Sequence, residues 1–271
     1  MTNHDFDVSI LDEVDHRPWP LPERPWVMTQ TWNDVLMAHW PIPRADVRCR
    51  VPWTFDLDLF DGMAWVSVVA FHMTNVAPRG IPSIPGLSAF PELNVRTYVR
   101  LDDQPGVYFF SLDATSRWAV GAARRLLNLP YHTALITLVQ SRSSVRYESV
   151  RRSAPEAAFK AVYGPLGAAA PARPGTLGHF LTERYCLYNQ YSDGRSYKLD
   201  IHHRPWPLHG ALADLRVNSM LEANGISADE TPALLHFASR QDVVTWAPVP
   251  LPSPATEQAH IALQGQLLAV E

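Results

Sequence analysis

Pro91-Glu92-Leu93-Asn94-Val95-Arg96-Thr97-Tyr98-Val99 alternates polar and apolar side chains along its length. A period of two is the signature of a strand with two chemically distinct faces. Glu92, Asn94, Arg96 and Tyr98 share one face, while Leu93, Val95, Thr97 and Val99 share the other. An acid, an amide, a guanidinium and a phenol in one row can bind a small polar ligand. Arg96 suits a carboxylate or carbonyl oxygen, and Glu92 suits proton transfer. A sheet with one solvated face produces the same alternation, so the polar row faces either a cavity or bulk water.

The flanking sequence reads as more strands. Thr54–Leu59 and Met63–Asn75 bracket an Asp61-Gly62 turn, and a proline-punctuated loop from Pro78 to Pro91 leads into Glu92–Arg100. Gln104-Pro105-Gly106 turns into a strand at Val107–Leu112. Ala114–Asn128 has helical spacing, with Asp113 as a candidate N-cap and Pro130 as its stop. Strands are expected at Tyr131–Gln140 and Val145–Arg151, and a short helix capped by Thr176 runs to Thr182. A Ser192-Asp193-Gly194 hairpin joins Tyr185–Tyr191 to Ser196–His203. Further helices are expected at Thr31–Trp40 and Ala211–Val217, with late strands at Leu234–Ala238 and Asp242–Trp246. Many short strands with few helices indicate a mainly β (α+β) chain, a barrel or sandwich with peripheral helices. Residues 1–15 read as a loose arm, 16–248 as a single domain, and 249–271 as a proline-rich tail.

Composition narrows the function. With 27 acidic and 23 basic side chains the formal charge is −4, which gives no basic footprint for nucleic acid or anionic membrane. The most apolar windows are too short to span a bilayer, and the N-terminus lacks the basic start and apolar run of a signal peptide. A soluble, cytoplasmic protein is expected, with Cys49 and Cys186 reduced. The histidines show no HxH, HxxxH or HExxH spacing and no glycine-rich phosphate loop or GxSxG elbow occurs, so neither a metal nor another cofactor is expected. Thr182-Glu183-Arg184-Tyr185-Cys186-Leu187-Tyr188 is a second polar-aromatic segment. Its Arg184 caps helix carbonyls, points inward as a ligand-binding group, or does both at once. His16–Leu21 and His203–Leu208 share the hexamer His-Arg-Pro-Trp-Pro-Leu, read as a rigid Pro-Trp anchor used twice.

RPWPLPERPWVMTQTW, FDGMAWVSVVAF, GLSAFPELNVRTYV, GVYFFSLDA, LTERYCLYNQY and HHRPWPL, in that order, resemble the YqjF-like family of bacterial proteins from about His16 to Pro248. That family is similar in fold to acetoacetate decarboxylase. The resemblance therefore implies a cone-shaped antiparallel β-barrel with an interior pocket and a few outer helices. The decarboxylase forms an imine through a lysine activated by a cationic neighbour, in a Gly-Tyr-Pro-Lys-Lys string. The corresponding segment here is Asn128-Leu129-Pro130-Tyr131-His132, so Tyr131 and His132 stand in the lysine places and cannot form an imine. Lys160 and Lys198, the only lysines, lie in other segments.

The resulting expectation is a small-molecule-binding barrel acting on an oxygenated carboxylate or carbonyl compound without a lysine Schiff base. Glu92, Arg96 and Tyr131 are its candidate catalytic residues; Asn94, Tyr98, His132, Glu183, Arg184 and His203 are candidate ligand-binding residues. Alternation puts Tyr131 and His132 on opposite faces, and Tyr131, which shares its side with Thr133 and Thr137, is the one expected inside. A non-catalytic metabolite-binding barrel and a structural barrel protein are the alternatives; the expected partners are a small-molecule ligand and, as an option, further copies of the chain in a homo-oligomer.

Overall fold

A computed structural model describes residues 6–84 and 88–252. The proline-rich tail lies outside them from residue 253 onward. Within the expected N-terminal arm, Val8–Asp12 forms a 3-10 helix capped by Asp7, and its Ile10 is buried beside Val244 and Trp246.

The strands are β1 (Met28–Ile42), β2 (Asp56–Leu57), β3 (Ala64–Pro78), β4 (Phe90–Leu101), β5 (Gln104–Ala114), β6 (Tyr131–Gln140) and β7 (Val145–Arg151). They continue with β8 (Ala158–Ala170), β9 (Cys186–Gln190), β10 (Ser196–His202), β11 (Leu208–Asn218), β12 (Leu234–Thr245) and β13 (Val249–Pro250). The helices are α1 (Arg44–Arg48), α2 (Arg117–Leu127) and α3 (Leu177–Thr182). One sheet contains all the strands and closes on itself twice. The larger circuit runs β5-β6-β7-β8-β11-β12-β1-β3-β4 and returns to β5. The smaller runs β10-β9-β5-β4-β3-β1-β12 and returns to β10.

Strands shared by two closed circuits must be buried on both faces, and their alternation distributes the two faces between them. Leu36, Ala38 and Trp40 of β1, Val66, Val68 and Ala70 of β3, and Leu93, Val95 and Val99 of β4 join Tyr147, Phe159 and Tyr163 in one buried cluster. This cluster fills the larger circuit with hydrocarbon. The opposite faces of β1, β3 and β4 turn toward the smaller circuit, where the cavity lies.

Pairing is mostly antiparallel, with two exceptions around β5. Leu112, Asp113 and Ala114 pair in parallel with Tyr131, His132 and Thr133, and Val107 pairs in parallel with Leu187. A parallel neighbour needs a crossover connection, and α2 supplies it between β5 and β6. Asp113 is therefore not a cap. It is buried in β5 and accepts two 2.8 Å hydrogen bonds from Arg151 Nε and Nη2.

Two expected helices are strands. At Thr31–Trp40, Asp34 has φ 51°, and the register with β3 shifts between Asn33 and Leu36. This bulge turns the cavity-facing series Gln30, Trp32, Val35, Met37 into a two-three-two spacing, which imitates helical periodicity. The helix expected at Ala211–Val217 lies in β11, where Leu212, Asp214 and Arg216 are exposed between half-buried Ala211, Ala213 and Leu215. β8 has no counterpart in the sequence reading, and β12 is one strand where two were expected.

Gly106 sets how closely β9 approaches β5. A Cβ there would lie 2.7 Å from the Tyr188 ring, 2.8 Å from Cys186 Sγ and 2.9 Å from the Cys186 carbonyl oxygen. Gly106→Ala is expected to cost about 1–3 kcal/mol through overpacking, measured by urea denaturation; an unchanged midpoint would show that β9 moves freely.

Candidate active site

Every strand of the smaller circuit, together with α2, α3 and the loop carrying Trp206, lines a cavity of about 320 Å³. Glu92, Asn94 and Arg96 project into it from β4, with Phe71 and Val69 of β3 paired beside Glu92 and Asn94. The polar row faces this cavity and not the outer surface: Glu92 is 3% exposed and Arg96 8%.

Glu92 has no cationic partner within ion-pair distance among the described residues. Tyr131 donates from its hydroxyl to Glu92 Oε2 at 2.6 Å, and Asn94 Nδ2 reaches Oε1 at 3.5 Å. Burial outweighs both contacts and pushes the Glu92 carboxyl up to about 7, with the nearby Asp113 charge adding to the rise. Burial likewise drives the Tyr131 phenol well above its usual range, with Glu92 contributing. Tyr131 therefore remains a hydrogen-bond donor while Glu92 changes charge near neutral pH.

Arg96 is the second unusual group. Its Nη2 makes only long contacts, 3.4 Å to the Leu181 carbonyl and 4.0 Å to Met37 Sδ, and its buried Nε has no partner. Among the described residues no carboxylate forms an ion pair with it. Asn94 Oδ1 and Trp206 Nε1 are also buried without partners. Such groups incur a desolvation penalty unless something supplies the missing bonds.

Arg184 also lines the cavity but is already satisfied. It forms an ion pair with Asp58, donates from Nε to the Phe180 carbonyl at 2.7 Å and packs over Phe180 and Tyr98. His203 lines the cavity too. Its Nδ1 lies 2.7 Å from the Arg204 carbonyl, its Nε2 3.2 Å from the Arg184 carbonyl, and its ring stacks on Tyr185. Burial holds this imidazole below its usual pKa.

Three candidate residues lie off the cavity. Tyr98 shares the face of Glu92 but its hydroxyl bonds Ser67 Oγ at 2.7 Å, which in turn contacts His39 Nδ1 at 2.6 Å. Glu183 accepts from the Tyr185 hydroxyl and from the Trp206 backbone N–H, so it holds the Trp206 loop. His132, one residue from Tyr131 on the opposite face, is half-buried near Asp113 and Arg151.

The two hexamers pack together. His16 Nε2 lies 2.8 Å from the His203 carbonyl, and Arg17 and Trp19 pack on Tyr185. Trp206 of the second copy reaches the cavity, where it stacks on Trp32 with ring centroids 5.8 Å apart. Sequence reasoning missed Trp32, Phe71 and Met37 as wall residues. The shifted alternation of β1 concealed two of them, and a paired-strand register was needed to place Phe71.

Neither lysine lines the cavity. Lys160 lies 3.6 Å from Glu148, and Lys198 bonds Gln104 at 2.8 Å and Asp200 at 3.2 Å. Cys49 is exposed and Cys186 buried, both free; burial pushes the Cys186 thiol up to about 12. Among the described residues no group of three or more His, Cys, Asp or Glu could hold a metal ion, and no helix is long and apolar enough to cross a membrane.

This architecture is that of the acetoacetate-decarboxylase-like proteins. Acetoacetate decarboxylase from Legionella pneumophila superposes with a TM-score of 0.55 at 12% identity, covering 94% of this chain and 100% of that one. The enduracididine biosynthesis enzyme MppR, in complex with pyruvate, superposes with a TM-score of 0.58 at 10% identity over 87% of this chain and 93% of that one. At such identities the likeness establishes the fold alone. The chain belongs to the DUF2071 family, described as uncharacterized conserved proteins, whose pattern it matches over residues 29–242. The uncharacterized protein YqjF of Bacillus subtilis (strain 168) is 46% identical over 226 residues, covering 83% of this chain and 93% of that protein.

Proposed function

We propose that the cavity binds a small oxygenated compound, that Arg96 receives its carboxylate or carbonyl oxygen, and that Glu92 moves a proton to or from it without a lysine imine. The observation that carries this reading is a buried carboxyl poised near neutral pH in the same strand face as a buried guanidinium lacking a carboxylate partner. A general acid–base group works best with a pKa near the operating pH. A desolvated guanidinium stabilises negative charge developing on oxygen. Tyr131 orients Glu92 by its hydrogen bond, the role that replaces the decarboxylase lysine on the corresponding segment. The positions of Lys160 and Lys198 favour chemistry without an imine, and two unbridged cysteines suit a reducing compartment such as the cytoplasm.

The test begins with native mass spectrometry of freshly purified protein to find a retained compound, followed by turnover assays on it. Glu92→Gln is expected to lower turnover by roughly 10²–10⁴-fold, and Arg96→Ala by about 10²–10³-fold. Turnover unchanged in both variants would remove their assigned roles. A compound that is held and released chemically unchanged would favour the second reading, a non-catalytic binding protein, to which the aromatic wall formed by Trp32, Phe71 and Trp206 lends support.

A further inference from the structure

The row of side chains along β4 ends differently at its two ends. Successive residues on one strand face stand roughly 7 Å apart, so Arg96, Asn94, Glu92 and Phe90 form a line from a charged group to a hydrocarbon one. Around Phe90 the wall is apolar. Met73 pairs opposite it, Trp32 pairs with Met73, and Phe71 packs against Trp32. Leu126 of α2 lines the same space although it is 71% exposed, so the cavity opens to solvent past a leucine. At about 320 Å³ the volume equals roughly ten waters at 30 Å³ each, far more than a three- or four-carbon acid fills.

We infer that the site takes an amphipathic monocarboxylate, whose head lies on Arg96 and whose apolar tail extends past Phe71 and Trp32 toward Leu126. This rests on the proposed oxyanion role of Arg96 and adds the tail. A carboxylate is the head that offsets a buried guanidinium with no carboxylate of its own. Trp206 Nε1, a buried donor without a partner on the cavity wall, is a further point at which an oxygen of the ligand can accept a hydrogen bond. The tail gains by covering apolar wall that would otherwise face water.

Titration calorimetry of the full chain with acetate, octanoate and 1-octanol tests the assignment. Each buried methylene is worth about fourfold in affinity, so octanoate is expected to bind one site at least about 100-fold more tightly than acetate. It is also expected to exceed octanol by at least about tenfold, an advantage that Arg96→Met abolishes. Trp32→Ala is expected to weaken octanoate more than acetate and so to narrow the ratio between them. Equal affinity for acetate and octanoate, with both lost in Arg96→Met, would overturn the tail and leave the oxyanion reading intact. Octanol binding as tightly as octanoate would overturn the head assignment and that reading together, and no binding of any probe would do the same. The comparison among probes on the unmodified protein decides the matter even if a variant fails to fold.

Discussion

Arg151→Met is expected to destabilise the fold by about 3–5 kcal/mol, the largest effect of any single change considered. Arg151 and Asp113 are both almost wholly buried and joined by two 2.8 Å hydrogen bonds between β7 and β5. The attraction between them chiefly offsets the desolvation of two charges. Removing one partner leaves an uncompensated carboxylate in a low-dielectric interior. Asp113 sits where β5 pairs in parallel with β6, one residue from Leu112 opposite Tyr131, so the pair also locks the strand that delivers Tyr131 to Glu92. Urea denaturation at pH 7 measures the loss. The double variant Asp113→Leu/Arg151→Met is expected to recover most of it, because no charge is then stranded. Single and double variants of equal stability would mean that the pair contributes nothing beyond its volume.

Glu92→Gln is expected to act in the opposite direction on stability while lowering turnover. The sign follows from which state binds the proton. An unfolded glutamate ionises near 4.5, whereas burial holds native Glu92 protonated up to about 7. Between these values the native state carries the extra proton, so this residue's contribution to stability falls as pH rises and is lowest above 7. Glutamine has no charge to desolvate and its side-chain oxygen can still accept the Tyr131 hydrogen bond. The variant should therefore exceed the wild type by about 3 kcal/mol at pH 8 and match it near pH 4. Denaturation midpoints across that range give the difference directly. A gap that does not vary with pH would show that Glu92 ionises normally in the native state.

Much of the site was legible because strand alternation is local. The row Glu92, Asn94, Arg96, Tyr98 follows from side-chain period alone, and so does the opposition of Tyr131 to His132. Where that row ends was not legible. Tyr98 has the same orientation as Arg96, but Ser67 of β3, itself held by His39 of β1, takes up its hydroxyl. The register of three strands decides that. Glu183 and Arg184 were equally visible as polar residues, yet only the packing of Asp58 and Trp206 shows that the first holds a loop and the second is already paired. The two false helices have separate physical causes. One bulge at Asp34 reset the alternation of β1, and in β11 the inner face is formed by small and half-buried side chains, so its alternation shows only once the strand is paired.

By itself the sequence determined the chemical kinds of side chain, the faces they share within a strand, most turns, and the absence of a lysine beside Pro130. These depend on steric and capping preferences that act over a few residues. Tertiary structure alone decided that the sheet closes twice, so that the two faces of β1, β3 and β4 enter different interiors, one filled with hydrocarbon and one hollow. It also decided which buried charges meet an opposite charge, as Asp113 and Arg151 do, and which meet none among the described residues, as with Arg96. Burial and pairing depend on strands far apart in the chain, and the dielectric that lifts Glu92 exists only once those strands have closed around it.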